Sequence, residues 1–213
     1  MDKISKENID NYCKLHSNAE SDLLKKIREY TIQTEPGHAM ISGILVANFL
    51  QNLIKISKSK MILEIGMFTG YSAMAMAEAL PNDGVVHTCE LMDKHVNTAS
   101  KFFNQYKYPE KLIIHHGPAL STLNQFTIDA FDFIFIDADK LNYIEYYKKA
   151  MDLVKNNGII VLDNMLWGGD VLSPSSEESE VLNTLNDIIT TDSRNTNTLI
   201  PIRDGLMLCF KNE

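Results

Sequence analysis

Four places in the chain set chemically able side chains directly behind an apolar run. Met61-Ile-Leu-Glu-Ile65 leads into Gly66-Met-Phe-Thr-Gly70, and Val85-Val-His-Thr-Cys89 ends in Glu90. Phe131 to Ile136 runs into Asp137-Ala-Asp-Lys140, and Ile159 to Leu162 runs into Asp163-Asn164. If these runs are parallel strands of one sheet, their polar ends meet at its carboxyl edge, where such sheets hold ligands. Asp137, Asp163 and Asn164 then converge as two carboxylates and an amide oxygen. That hard, all-oxygen set suits Mg²⁺, Ca²⁺ or Mn²⁺. Strand-end Asp and Asn also cap turns, and spacing alone leaves both readings open. Glu90 stands about 20 residues past the glycine turn, where a doubly wound fold carries its ribose-binding carboxylate. Gly66 and Gly70 allow close backbone approach, but the turn is neither Gly-x-Gly-x-x-Gly nor Gly-x-x-x-x-Gly-Lys. An acid at Glu64, two residues before the first glycine, suits a cationic ligand better than a pyrophosphate.

The elements that must hold these residues follow from periodicity. Residues 4–33 carry helical spacing ahead of the first strand, and Thr34-Glu-Pro-Gly-His38 breaks it. Ser42 to Ile56 resumes as a helix, with Ile44, Leu45, Phe49, Leu53 and Ile56 expected inward. Strands are expected at 61–65, 85–90, 112–116, 130–136 and 159–162. Helices are expected at 72–80, from a cap at Asp93 to about Tyr106, briefly after Gly117, at 142–155 with Asn156-Asn-Gly158 as its stop, and at 181–191. Thr198–Ile202 and Leu206–Phe210 flank Arg203-Asp-Gly205, which reads as a hairpin. The alternation makes an α/β fold: a Rossmann-like, seven-stranded, mostly parallel sheet with a C-terminal antiparallel hairpin and helices on both faces. It forms one domain at 1–213, with 61–211 as the core and 1–56 as a helical addition.

Composition is that of a globular protein: 213 residues, 45% hydrophobic, 23% charged, net charge −8. The acidic balance weighs against nucleic acid and anionic membrane. No apolar run is expected to reach membrane length, and the opening Met1-Asp-Lys-Ile-Ser is too polar for a signal peptide. Cys13, Cys89 and Cys209 lack metal spacing and read as reduced, buried thiols of a cytoplasmic protein.

Three segments, Leu63-Glu-Ile-Gly-Met-Phe-Thr-Gly-Tyr-Ser72, Phe135-Ile-Asp-Ala-Asp-Lys140 and Asp163-Asn-Met-Leu-Trp-Gly-Gly169, carry a family resemblance over roughly residues 30–211. The sequence resembles the cation-dependent class I O-methyltransferases that include catechol and caffeoyl-CoA O-methyltransferases. The resemblance implies S-adenosylmethionine as cofactor. Glu64, Gly66, Met67 and Ser72 would hold its methionine part, and Glu90 its ribose. Ala119 would lie beside the adenine, and Met40 and Ser42 would touch the cofactor from upstream. Asp137, Asp163 and Asn164 match the family's metal ligands, with Asp137 also beside the cofactor, and Lys140 matches its lysine base. Trp167 and Met40 would wall the substrate. Two departures turn the expectation toward a small free catechol rather than a CoA ester. Leu45-Val-Ala47 replaces an Asp-Glu-Gly of the plant enzymes, and Asn124–Asp129 is short where they carry an insertion. The bacterial relatives imply a homodimer built on the N-terminal segments.

The chemistry fits these residue types. A divalent cation lowers the pKa of a catechol hydroxyl, a positioned lysine takes its proton, and the rest is alignment of an in-line methyl transfer. The runner-up is methylation of a hydroxyuridine in tRNA by the same fold. It should need basic surface near the site, yet residues 156–193 contain no Lys or Arg. A nucleotide-binding module without catalysis would not need the whole acid, amide and lysine set. An NAD-dependent dehydrogenase is disfavoured by the missing third glycine.

Overall fold

The computed structural model describes residues 6–213. In chain order these form α1 (Lys6–Leu15), α2 (Asp22–Thr34), a 3₁₀ turn at His38–Met40, α3 (Gly43–Ser57), β1 (Met61–Ile65), α4 (Tyr71–Ala79), β2 (Val85–Glu90) and α5 (Asp93–Phe103). A second 3₁₀ turn, Pro109–Lys111, leads to β3 (Leu112–His116), α6 (Ala119–Leu123), β4 (Phe131–Ile136) and α7 (Tyr143–Leu153). Then come β5 (Val154–Leu162), α8 (Glu177–Thr191), β6 (Asn195–Ile200) and β7 (Leu206–Lys211). The expected N-terminal helical span is thus two helices, and its residues 4 and 5, like the polar opening, lie outside the described residues.

All seven strands join one sheet in the order β3-β2-β1-β4-β5-β7-β6. β1 to β5 pair in parallel, and β7 runs antiparallel to both β5 and β6. This is the expected Rossmann-like sheet with its closing hairpin. Side chains alternate between its faces. Ile62, Phe133 and Phe135 pack toward the side of α2 to α5, while Leu63, Ile134 and Ile136 pack toward α6 to α8. Cys89 and Cys209 are buried free thiols, each pushed up to about 12 by burial, whereas Cys13 is exposed.

Several boundaries differ from the sequence expectation. α7 stops at Leu153, and β5 begins at Val154 and crosses Asn156-Asn-Gly158 as an irregularity in its pairing with β4, with Asn157 at φ 64°. The Asn-Asn-Gly signal marks this bulge rather than a helix stop. α8 starts four residues early because Ser176 and Ser179 cap each other's backbone N–H groups. Asp93 lies inside α5 and Met92 is the residue before it, so the aspartate is not the cap.

α3 turns another face inward than expected. Val46, Ala47, Leu50 and Ile54 are buried, Ile44, Leu45, Phe49 and Leu53 are half-buried, and Ile56 is 79% exposed. A helix apolar nearly all round carries little periodic signal for which side packs. Packing against α4 decides it, and Gln51 Nε2 donates to Ala75 O on that side at 3.0 Å. By length and composition His38–Ser57 does reach the size of a membrane span, against expectation. Ile41 breaks it with an extended backbone, and the 15 residues of α3 cover roughly 22 Å at about 1.5 Å per residue, short of the ~30 Å hydrocarbon layer.

Candidate active site

The connections from β1 lead to β2 on one side and, by way of β3, to β4 on the other. That reversal opens a crevice beyond the strand ends. A cavity of about 990 Å³ occupies it.

On one side the wall is the end of β1 and the start of α4. Gly66, Met67 and Ser72 line it. Gly66 (φ 95°) has another duty than ligand approach: a Cβ there would lie 2.1 Å from the Asp137 carbonyl oxygen. Asp137 N also donates to Ile65 O at 2.9 Å. Glycine at 66 is therefore what lets the ends of β1 and β4 touch. Glu90, ending β2, lines the cavity with its carboxylate fixed by two backbone donors. Phe68 N reaches Oε2 and Met92 N reaches Oε1, both at 2.8 Å. His95, its ring edge-on to Phe68, adds a contact to Glu90 Oε1 at 3.5 Å. Ala119 opens α6 at the cavity's far corner, and Met40 and Ser42 reach it from the segment ahead of α3. Thr31 and Thr69 share a hydrogen bond of 2.8 Å that ties α2 to the glycine turn.

Glu64 alone among the expected residues does not reach the cavity surface. It is fully buried in β1, and its Oε2 accepts from Thr88 Oγ1. Its Oε1 has no hydrogen-bond partner. Burial pushes the carboxyl up to about 8, with Ser72 and Thr88 pulling the other way. An orphaned carboxyl oxygen behind Ser72 fits a cationic ammonium, which would both supply a donor and favour the charged form.

The opposite wall is built by the ends of β4 and β5. Asp137, Lys140, Asp163, Asn164 and Trp167 line it, so the expected set does come together. Asp163 is 2% exposed, and its carboxyl is pushed up to about 7, first by burial and then by the charge of Asp137. Two carboxylates crowded in a poorly hydrated corner, with an amide beside them, fit a hard divalent cation. Ser42 Oγ donates to Asp137 Oδ2 at 3.3 Å. Lys140 is buried, its Nζ 3.3 Å from Asp137 Oδ1 and 2.9 Å from Ala138 O. Tyr143, fully buried one turn on, accepts from Lys140 Nζ at 2.5 Å and donates to Asp163 O at 3.2 Å. The Trp167 ring stands 6.0 Å from Lys140 Nζ, in a loop where Trp167, Gly168 and Gly169 all have positive φ.

The O-methyltransferase family model matches residues 14–212. The chain belongs to the O-methyltransferase family. Caffeoyl-CoA O-methyltransferase 1 of Nicotiana tabacum is 35% identical over 203 residues, covering 89% of this chain and 84% of that protein. A Eucalyptus globulus caffeoyl-CoA O-methyltransferase is 34% identical over 202 residues, covering 89% and 82%. Among solved structures, the S-adenosylhomocysteine-bound methyltransferase of Podospora anserina superposes with a TM-score of 0.91 at 26% identity, covering 100% of this chain and 97% of that one. The Bacillus cereus O-methyltransferase in complex with S-adenosylhomocysteine gives 0.87 at 26%, covering 96% and 97%. This O-methyltransferase is thus an enzyme of S-adenosylmethionine-dependent methyl transfer on the class I fold.

Sequence reasoning missed some residues of this site. Tyr143 reads as one more apolar helix position, His95 as one polar residue of a surface helix, and Arg203 and Asp204 as generic turn residues. Their role shows only when the chain folds back. The signal that could have found Tyr143 is its spacing, three residues past Lys140, one helical turn.

Proposed function

We propose that this O-methyltransferase methylates one hydroxyl of a small, catechol-type acceptor, with a divalent cation as cofactor. Mg²⁺ is the first choice, Ca²⁺ or Mn²⁺ the alternatives. The observation that carries the reading is the pairing of Asp137 and Asp163 beside Asn164, with Lys140 Nζ 3.3 Å from Asp137 Oδ1. A divalent cation held by these three residues supplies Lewis acidity to vicinal hydroxyls, and S-adenosylmethionine supplies the methyl group.

The chain's own residues do the rest. Glu90 offers its carboxylate to the ribose diol and Glu64 its free oxygen to the ammonium. Ala119 borders the adenine, and Gly66, Met67, Ser72 and Met40 bound the methionine arm. Lys140, gripped by Tyr143 and Ala138 O, is the base within reach that takes the acceptor's proton. Trp167 walls the aromatic ring, and Met40, 62% exposed, stands at the mouth. Two features support a small free acceptor over a CoA ester. Val46 and Ala47 are buried inside α3, so that triplet makes no contact in the cavity. The loop Asn124–Asp129 does not line the cavity either.

The test is transfer of labelled methyl from S-adenosylmethionine into catechols, caffeoyl-CoA and bulk tRNA, after EDTA and again after added Mg²⁺. Metal-restored labelling of free catechols is the expected result. Labelling of tRNA alone would install the hydroxyuridine reading, and full activity in chelator would remove the metal. We further propose a cytoplasmic homodimer that engages neither membrane nor nucleic acid.

A further inference from the structure

The turn between β6 and β7 touches both halves of the site. Gly205 N donates to Ile202 O at 2.9 Å, closing a four-residue turn whose second residue is Arg203 at φ 51°. Hairpin turns with positive φ at that position normally hold Gly, Asn or Asp there, because a longer L side chain is disfavoured in the left-handed region. An arginine kept in a strained position points to work done by its side chain. Its Nη1 donates to the carbonyls of both Ile41 and Ser42, the segment that brings Met40 and Ser42 to the cavity. Gly43, at φ 77° where L side chains are rare, follows directly and lies against the Arg203 guanidinium, 3.4 Å separating Nη1 from where a Cβ would stand. Arg203 lines the cavity itself.

The next residue faces the other wall. Asp204 Oδ2 accepts from Asn164 Nδ2 at 3.4 Å, and Oδ1 accepts from Gly168 N. Asp204 O and Gly205 O also accept from Leu166 N at 2.8 Å and Met165 N at 3.0 Å. An amide whose NH₂ is claimed by a carboxylate has its oxygen fixed on the other side. That chooses which end of Asn164 faces Asp137 and Asp163.

We propose that Arg203 and Asp204 are positioning residues for the methyl transfer. Asp204 orients the Asn164 amide oxygen for the cation, and Arg203 holds the Met40–Ser42 segment over the cofactor. The first half rests on the metal reading given above; the second does not.

The test uses the full chain. Calorimetric Mn²⁺ uptake without acceptor should weaken about tenfold to a hundredfold in Asp204→Ala, the usual loss when a ligand's outer partner goes. It should recover in large part in Asp204→Asn, which keeps an acceptor oxygen. Arg203→Gly trades relief of backbone strain against two lost charge-assisted hydrogen bonds, so the variant should stay folded at the assay temperature, while kcat/KM falls about tenfold to a hundredfold through a misplaced segment. Mn²⁺ uptake in Asp204→Ala equal to wild type overturns the role of Asp204. Arg203→Gly with wild-type kcat/KM, or with a loss of activity no larger than the fraction of protein unfolded at the assay temperature, overturns that of Arg203. A wild-type chain that takes up no Mn²⁺ brings down the metal reading itself, a result distinct from wild-type uptake that the variants share.

Discussion

Lys140 and Glu64 show what a single side chain contributes, and each makes a separable prediction. Removing a positioned base costs roughly 10²–10⁴-fold in rate, so Lys140→Ala should lose about that much kcat. Its S-adenosylhomocysteine affinity by calorimetry should stay at the wild-type level; unchanged kcat would leave the acceptor without a protein base. Glu64→Gln keeps the shape of a buried, largely neutral carboxyl and removes its capacity for charge. Charged hydrogen bonds are worth about 1.5–3 kcal/mol, so S-adenosylhomocysteine should bind about tenfold to a hundredfold more weakly, with Tm little changed. Equal affinity would detach Glu64 from the cofactor. At this scale the site was largely legible, because Glu90, Asp137, Asp163 and Asn164 each follow an apolar run directly. Tyr143, Arg203 and Asp204 were not, because their partners lie on other elements and nothing local marks them.

At the scale of elements, β2 and β3 carry a histidine pair that does not line the cavity. His87 Nδ1 and His115 Nε2 lie 2.8 Å apart across the two strands, with Phe126 edge-on to both rings and Phe131 edge-on to His87. Burial holds both imidazoles below the usual histidine value, and at His87 the charge of His115 adds to it. A histidine with a depressed folded pKa binds its proton more readily in the unfolded chain. Its stabilisation is therefore full above the unfolded value of about 6.5 and is lost as pH falls through the lower folded value. Thermal melts should show Tm declining below about pH 6.5. His115→Gln should flatten that decline, and an undiminished slope would assign it to other groups. The alternation of strands and helices was readable here because periods of 2 and 3.6 differ. The start of β5 was not, since Asn156-Asn-Gly158 signals a turn without saying whether a helix or a strand contains it. The inward face of α3 was hidden by its all-round apolarity.

For the whole molecule, the helices outside the sheet set the expected assembly. Ile9, Tyr12 and Leu15 on α1 are 51%, 63% and 82% exposed, and the outer side of α3 is apolar and half-buried. A second copy would cover these faces, so light scattering at micromolar concentration should give twice the chain's 24.1 kDa. A monomer mass would sink the dimer. Finally, Gly66 leaves no room for a Cβ beside the Asp137 carbonyl, and Asp137 N donates to Ile65 O, so the ends of β1 and β4 touch directly. On the proposed reading, a divalent cation at Asp137 and S-adenosylmethionine on the β1 side would be linked through this contact: whatever factor Mg²⁺ added to S-adenosylmethionine affinity, S-adenosylmethionine would add to Mg²⁺ affinity. Paired titrations, each ligand with and without the other, should return one shared factor, within the usual fivefold to 150-fold or so for such coupling. A factor of one would mean that the two strand ends, though in contact, respond to their ligands independently.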